Sequence, residues 1–367
     1  MSSLTLLFHR SLLPLSALFL LSQNALPDSF SQTNLVSSVP GLAPVTDSNL
    51  RNPWGMSFSA TSPFWVSNQA SNTSTLYGAT GAPNAMVVSV PGGPTGQVFT
   101  GGTSFLESNN TTPNFVFATI SGSIYAWNGG NGTTAQLAAS TAGATYTGLA
   151  IGSNSSGSFL YAANVRGGSI DVFNTSFART TLAGSFTDPN LPAGYTPYNI
   201  QNVNGLLYVE YQNGARAGTG GLGTGIVSVF DSNGVFQRRF ISTGGQLDQP
   251  WGIVVAPASW GAFANDLLVG NFGNGEINAF NPTTGAFVGT VTGNSGQPLV
   301  NSGLWALGTR TGPGFNPNAV YFTAGINGEA DGLFGTITPT PEPFSIGMMA
   351  VGGLAIAVIG RRRVKVE

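Results

Sequence analysis

The chain contains no cysteine, and its 367 residues include one histidine and one lysine. Without cysteine there is no disulfide framework, no thiolate metal site and no thiol nucleophile. The histidine, His9, lies near the start, in a stretch that reads as a removable leader. A body without histidine or cysteine cannot build a Ser-His-Asp or Cys-His catalytic centre or the usual zinc sites. The lysine, Lys365, lies near the other end. Charge as a whole is scarce: Asp, Glu, Lys and Arg make up 7% of the chain, against ~25% in an ordinary soluble protein. Setting aside Arg10, Arg361, Arg362, Arg363, Lys365 and Glu367 leaves 7 basic and 13 acidic residues, a net charge of −6. A body of that balance, with no basic run, is not expected to bind nucleic acid.

Low charge does not mean disorder here, because 41% of the residues are hydrophobic and a disordered chain is both charged and poor in apolar residues. The 52 glycines, with many Ser, Thr and Asn, take over the surface role. Such a surface suits short strands joined by tight turns.

The two ends differ from the middle. Residues 1–26 carry a sparse positive region, His9-Arg10, and then an apolar core over 11–22 that is too short to span a membrane. Its leucines surround a helix rather than striping one face. The stretch is predicted to be a secretory signal, cut near Ala25 after export through the Sec machinery. At the other end Thr338-Pro339-Thr340-Pro341 forms a stiff lead-in, followed by Pro341-Glu342-Pro343. Residues 344–360 then run without a charge, at the lower edge of a membrane-spanning length, and Arg361-Arg362-Arg363 closes them. A basic cluster after an apolar span holds that end in the cytoplasm.

This order of parts resembles the PEP-CTERM sorting signal. The resemblance covers residues 341–363 and implies an exosortase that recognises Pro341, Glu342 and Pro343 and removes the span with Arg361, Arg362 and Arg363. The expected course is export, a transient inner-membrane anchor, and a final place in the cell envelope or outside the cell. A plain tail anchor is the alternative, and would leave the protein on the membrane. The expected organisation is therefore a signal over 1–26, a folded body over 32–338 and a sorting segment over 339–367.

Within the body the sequence repeats its own opening. Asn52-Pro53-Trp54-Gly55 returns as Gln249-Pro250-Trp251-Gly252, with a weaker echo at Pro94-Thr95-Gly96. A second marker, Ile or Val followed three residues later by an aromatic and then Asn or Asp, occurs at Ile124-Tyr125-Ala126-Trp127-Asn128, Ile170-Asp171-Val172-Phe173-Asn174, Val227-Ser228-Val229-Phe230-Asp231 and Ile277-Asn278-Ala279-Phe280-Asn281. First strands are predicted to start near 54, 96, 147, 198, 251 and 304, a spacing of 42 to 53 residues. That period suits a four-stranded propeller blade, and six units predict an all-β, six-bladed β-propeller. The sixth unit shows only three strands, whereas residues 32–39 form an orphan strand ahead of the first. An open ring would expose two sheet edges, so the orphan is expected to supply the outer strand of blade 6. A pair of β-sandwiches is the alternative, and the regular period argues against it.

The pieces Thr33-Asn34-Leu35-Val36-Ser37, Asn52-Pro53-Trp54-Gly55, Pro94-Thr95-Gly96, Pro250-Trp251-Gly252 and the run from Phe322 to Gly335 resemble a family of uncharacterised bacterial six-bladed propellers, NHL-like in architecture, that often bear PEP-CTERM tails. The resemblance spans about residues 32–338 and implies the fold rather than an activity. Members of that family tend to carry an acidic loop in the fourth unit. Here residues 214–225 hold Arg216 and no acid, which puts a metal role for that loop in doubt.

For function, no catalytic residue and no metal site is assigned. A calcium-dependent hydrolase of the lactonase type would need carboxylates and carbonyl oxygens converging at one mouth of the central channel, and calcium is the one cofactor that alternative calls for. Asn68, Asn164 and Asn271 fall at equivalent second-strand ends, and Glu210 lies on a second strand, so these four are the candidate ligand-binding residues near the channel. A residue that recurs in several blades more often ends a strand through side-chain-to-backbone bonds. Trp54, Trp251 and Trp305 open three first strands, and are expected to pack where blades meet rather than to stack on a sugar. The Gly-rich run 218–225 lacks a lysine and precedes a strand, so it fails as a phosphate loop. The favoured expectation is a non-enzymatic propeller that binds a glycan or an envelope protein, or serves as a structural element.

Overall fold

The structure, a computed structural model, describes residues 29–102, 104–107, 110–214 and 220–340. The expected signal over 1–26, the Pro341-Glu342-Pro343 motif, the span over 344–360, the basic end over 361–363 and Arg216 all lie outside the described residues. Among those described, no helix is long and apolar enough to cross a membrane.

Six sheets, antiparallel except where Val45–Thr46 runs parallel to its neighbour at the edge of the last, follow one another along the chain. Blade 1 is Pro53–Ser57, Phe64–Asn68, Thr73–Tyr77 and Val88–Ser89. Blade 2 is Pro94–Phe99, Phe115–Thr119, Ser123–Trp127 and Gln136–Ser140. Blade 3 is Tyr146–Asn154, Gly157–Asn164, Ser169–Phe173 and Arg179–Thr180. Blade 4 is Tyr195–Val203, Leu206–Asn213, Ile226–Phe230 and Phe236–Ile241. Blade 5 is Pro250–Val255, Leu267–Asn271, Ile277–Phe280 and Phe287–Thr290. Blade 6 is Leu304–Thr309, Val320–Ala324 and Leu333–Pro339, completed by Phe30–Ser37 from the start of the chain and edged by Val45–Thr46. The first strand of each blade touches the first strand of the next, and that of blade 6 touches that of blade 1, so the first strands ring a common axis. The fold is a six-bladed β-propeller.

The closure has the expected form. Phe30–Ser37 pairs antiparallel with Leu333–Pro339, from Phe30 opposite Pro339 to Ser37 opposite Leu333. The strand begins two residues earlier than expected and ends at Ser37 rather than Val39. Ser38 and Val39 instead turn over the loop before Leu333, where the Ser38 amide donates to Gly332 O. The lead-in to the tail is partly strand, because Thr338 and Pro339 pair with Ser31 and Phe30.

Burial explains the residue pattern. Six apolar cores lie between successive blades, such as Trp65, Leu76, Phe115 and Phe117 between blades 1 and 2, and Phe30, Trp260, Leu268 and Phe322 between blades 5 and 6. A sheet covered on both faces needs no polar side, so its central strands read as continuous apolar runs. The second strands Phe64–Asn68, Phe115–Thr119 and Leu267–Asn271 are buried at every position. Outer strands are short in blades 1 and 3, where they shrink to Val88–Ser89 and Arg179–Thr180. They lie at the rim, where little apolar area is left to reward pairing.

Candidate functional site

The site is built at the axis. In every blade the pairing of first and second strand slips at the same place: after Pro53, Pro94, Tyr146, Pro197, Pro250 and Leu304. A bulge of this kind re-aims a side chain and bends the strand. The residue set free is Trp54, Thr95, Thr147, Tyr198, Trp251 and Trp305 in blades 1 to 6. The next residue is glycine in four of the six, because the neighbouring inner strand passes very close. A Cβ on Gly55 would lie 2.4 Å from Thr95 O, and one on Gly252 would lie 2.4 Å from Trp305 O.

The aromatic members, with Phe272, form one cluster. The rings of Trp54 and Trp305 stack with centroids 3.6 Å apart, and Phe272 lies 4.2 Å from Trp305. Trp251 meets Trp54 and Trp305 edge-on at 6.2 and 5.7 Å, and Tyr198 sits 5.9 Å from Trp305. None is more than 8% exposed, so the bore is closed at this level. The tryptophans therefore do pack in a core, but on the axis and not in the wedges between blades. Blades 2 and 3 leave room for them by contributing threonines. The Trp251 Nε1–H crosses from blade 5 to donate to Thr147 O of blade 3 at 2.9 Å. Thr95 Oγ1 donates to Tyr146 O at 2.9 Å.

Above the plug, on the face where inner strands begin, lies the closing seam. Asn52, held at φ +45°, is its hub. Its Nδ2 donates to Gln69 Oε1 at 2.9 Å and to Glu329 Oε2 at 2.7 Å, and its Oδ1 accepts from Trp305 Nε1 at 2.9 Å. Glu329 is presented by a left-handed run, Asn327, Gly328 and Glu329 at φ +55°, +64° and +69°. Gly325 has no room for a side chain, since a Cβ there would lie 2.2 Å from Asn52 Oδ1. Asp331 fastens the first strand: its Oδ1 accepts from Ser38 Oγ at 2.9 Å and its Oδ2 from Asn327 Nδ2 at 3.0 Å. Those two hydrogen bonds, with Arg51 3.9 Å away, hold the Asp331 carboxyl below the usual carboxylate range.

The four residues singled out from the sequence stand in four different settings. Asn68 donates to Thr73 Oγ1 and Thr75 Oγ1 at 3.2 and 2.9 Å. Asn164 Oδ1 accepts from the Thr145 and Gly167 amides at 3.2 and 2.9 Å, and its Nδ2 donates to Asp171 at 3.0 Å. Asn271 donates to Gln246 O and Asn274 Oδ1 at 2.8 and 3.0 Å. Asn68 thus braces the third strand of its blade, Asn164 the turns beside it and its third strand, and Asn271 the turn after it and the loop ahead of blade 5, and no hydrogen bond joins the three. Glu210 lies opposite Asn199 and Val227 in blade 4. It is fully buried, neither carboxyl oxygen has a hydrogen-bond partner, and burial pushes its pKa well above the ordinary value. It is a sealed acid inside the wall of the ring. Tyr198, raised by burial and then by Glu329, is likewise sealed. Among the described residues no three His, Cys, Asp or Glu side chains gather to hold a metal.

Two residues escaped sequence reasoning. Asn52 was visible only as part of a repeated motif, and its contacts with Glu329 could not be read without the ring. Arg310 lies on the opposite face, in the wall between blades 6 and 1. Its only sequence signal was that it is one of 7 basic residues in a body rich in phenylalanine.

No family model matches the chain. It is 32% identical over 328 residues to the uncharacterized protein R648 of Acanthamoeba polyphaga mimivirus, covering 83% of this chain and 78% of that protein. A second mimivirus protein, the uncharacterized L690, is 36% identical over 201 residues, 52% of this chain and 51% of that one. Among solved structures, a protein of unknown function from Bacteroides thetaiotaomicron superposes with a TM-score of 0.56 at 11% identity, over 85% of this chain and 77% of that chain. The latter shows a shared fold alone. The class is thus a six-bladed propeller with a plugged axis. Within it, the chain belongs to the family of uncharacterised proteins that includes mimivirus R648.

Proposed function

We propose that the protein is an exported propeller that acts by binding or scaffolding rather than by catalysis. The observation that carries this reading is the closed axis. Trp54, Tyr198, Trp251, Phe272 and Trp305 fill the place where a lactonase-type propeller would gather its metal ligands. Of the carboxylates, Glu210 is sealed within the wall of blade 4 and Glu329 is bonded to Asn52. The export route rests on the two ends of the sequence: a leader over 1–26 for the Sec machinery, and Pro341-Glu342-Pro343, the span over 344–360 and Arg361-Arg362-Arg363 for an exosortase. In this reading the protein is anchored briefly in the inner membrane and then released to the cell envelope or the outside, where a glycan or an envelope protein is its partner. The body's geometry is compatible with such traffic. Its two ends leave side by side, with the Thr340 amide donating to Ser29 O at 2.9 Å, so removing both terminal segments cuts the chain at one point on the rim.

Mass spectrometry of the mature protein from its native host tests the route. Loss of 1–26 and of the segment after Pro343 is expected, and finding residues 344–367 on every molecule rules out processing. Calorimetric titration with calcium tests the hydrolase alternative. No heat and no shift in melting temperature is the expected result, and stoichiometric binding would reopen that alternative.

A further inference from the structure

We propose that the cleft between blades 6 and 1, on the face where inner strands end, binds a small carboxylate-bearing ligand with Arg310 as its anion receptor. The cleft has a volume of about 460 Å3, and Phe58, Ser59, Ala60, Arg310 and Thr311 form its wall. Arg310 follows directly on the inner strand of blade 6 and is 4% exposed. Its guanidinium stands over the rings of Phe315, Phe58 and Phe64 at 3.7, 4.6 and 5.2 Å. Nη2 is engaged, donating to Ser59 O at 3.1 Å and to Ser62 O. Nη1 is buried and has no partner.

This is an unusual state for a buried cation. A guanidinium keeps its charge when desolvated, and a buried charge is costly unless paired. Elsewhere this protein follows that rule. Arg239, whose side chain is 20% exposed, pairs with the buried Asp188 at 2.7 Å, and Arg179 pairs with the buried Asp171 at 2.7 Å. Arg310 is more deeply buried than either, yet no carboxylate of the described residues pairs with it. Burial accordingly pulls its pKa below the ordinary arginine value. Cation–π contacts and two carbonyls compensate part of the charge, but the polar edge left over lacks its oxygen acceptor.

The free half of the fork selects the ligand class. Nη2 belongs to both forks of the guanidinium, with Nη1 and with Nε, so while it is occupied a ligand oxygen is met by a single nitrogen and not by a fork. A phosphate dianion is normally held by a bidentate fork or by several donors, and the body's net negative charge disfavours it further. A carboxylate asks for less: one charged donor, with the hydroxyls of Ser59, Thr309 and Thr311 nearby. Phe58 and Ala60 offer apolar surface to its body. An aromatic monocarboxylate such as benzoate combines these features and is the probe of choice.

Isothermal titration of the intact propeller with sodium benzoate, at constant ionic strength, tests this. Saturable binding with a Kd on the order of 1 mM is expected. Arg310→Met should abolish it, but that variant also drops two carbonyl contacts and could unfold. Ala60→Trp is the second arm. Ala60 is exposed at the cleft mouth, so a tryptophan there should leave the melting temperature of the free protein unchanged while weakening benzoate binding about tenfold or more. Inorganic phosphate should bind more weakly than benzoate. Absence of saturable benzoate binding to the native chain, tighter binding of phosphate, or benzoate binding that survives Ala60→Trp unchanged would each overturn the proposal.

Discussion

The openings of blades 1 and 5 are the same phrase used twice, Asn52-Pro53-Trp54-Gly55 and Gln249-Pro250-Trp251-Gly252, and they share a backbone. Asn52 and Gln249 are both left-handed, at φ +45° and +51°. The Gln69 amide donates to Asn52 O, and the Phe272 amide donates to Gln249 O, both at 3.0 Å. Both prolines precede a bulge, both indoles enter the axial plug and both glycines admit the next inner strand. The side chains of the first residues differ in duty. Gln249 Nε2 reaches Gln212 Oε1 in blade 4 at 3.1 Å, across a continuous stretch of chain. Asn52 joins blade 1 to blade 6, across the place where the ring is closed by strands from opposite ends of the sequence. The repeat thus fixes backbone shape, and the one variable polar side chain answers to its neighbours.

The glycines are the first place to test that shared backbone, and the largest effect is expected there. Gly55→Ala and Gly252→Ala each place a Cβ 2.4 Å from a carbonyl oxygen of the next blade. That oxygen belongs to a strand locked in the ring, so each should cost about 3 kcal/mol or more. Gly245→Ala, just ahead of the blade 5 opening and with nothing within 4 Å, should cost less than about 0.5 kcal/mol. Urea unfolding checks all three. Equal stability of Gly55→Ala and Gly245→Ala would break the account of the ring's tight centre.

The second test separates the two first residues. Asn52→Gly keeps the left-handed backbone accessible but leaves Trp305 Nε1 without its acceptor and Glu329 without its donor. Orphaning the buried Trp305 Nε1 costs about 1–3 kcal/mol and the half-buried Glu329 less, so a loss of about 2–3 kcal/mol is expected. Gln249→Gly should cost about 1 kcal/mol. A Gln249→Gly variant as unstable as Asn52→Gly would show that closure is no special burden on blade 1.

Much of this ring could be read in the sequence, and the reason is periodicity. Ile124 to Trp127 and Val227 to Phe230 lie in third strands as their pattern predicts, because a sheet buried on both faces imposes one apolar rhythm in every blade. Closure by the first strand followed from counting strands. What could not be read were directions and distances. Trp54 is apolar whether it packs between blades or on the axis, and only the bulge decides. Glu210 sits at the register position that Thr323 occupies in blade 6, where Thr323 Oγ1 donates to Trp54 O at 2.7 Å. Nothing in the letter E at that position announces a sealed acid rather than a channel ligand. Arg310 and its three phenylalanines are spread over more than 250 residues of sequence, beyond any local pattern.

Two carboxyls on the same ring then offer opposite pH responses. Glu210 has a folded pKa raised by burial above its ordinary 4.5. The folded state holds its proton more tightly, so the associated stability is complete below about pH 4.5 and is lost as pH rises toward the folded value. Glu210→Gln removes that loss. It should raise stability at pH 8 by about 1–2 kcal/mol and flatten the decline that sets in above the ordinary carboxyl value of 4.5, checked by urea unfolding from acid to pH 8. A variant less stable than the native chain at pH 8 would show that the carboxyl has partners when ionised.

Asp331 is the counterpart and the smallest effect. Its folded pKa is depressed, chiefly by the hydrogen bonds from Asn327 and Ser38 and then by Arg51. Its stabilisation is therefore present above its unfolded value of about 3.8 and is lost as pH falls through the folded one. The carboxylate is on the surface, where solvent screens the ion pair with Arg51, so Asp331→Asn should cost no more than about 0.5 kcal/mol at pH 7. Its signature is in direction. As pH falls below the depressed folded pKa the variant and the native chain should converge, while Glu210→Gln and the native chain converge at the same acid end and part only as pH rises. If Asp331→Asn instead destabilised the ring by as much as Asn52→Gly, the clasp on the first strand, and not the Asn52 hub, would be what holds blade 6 to blade 1.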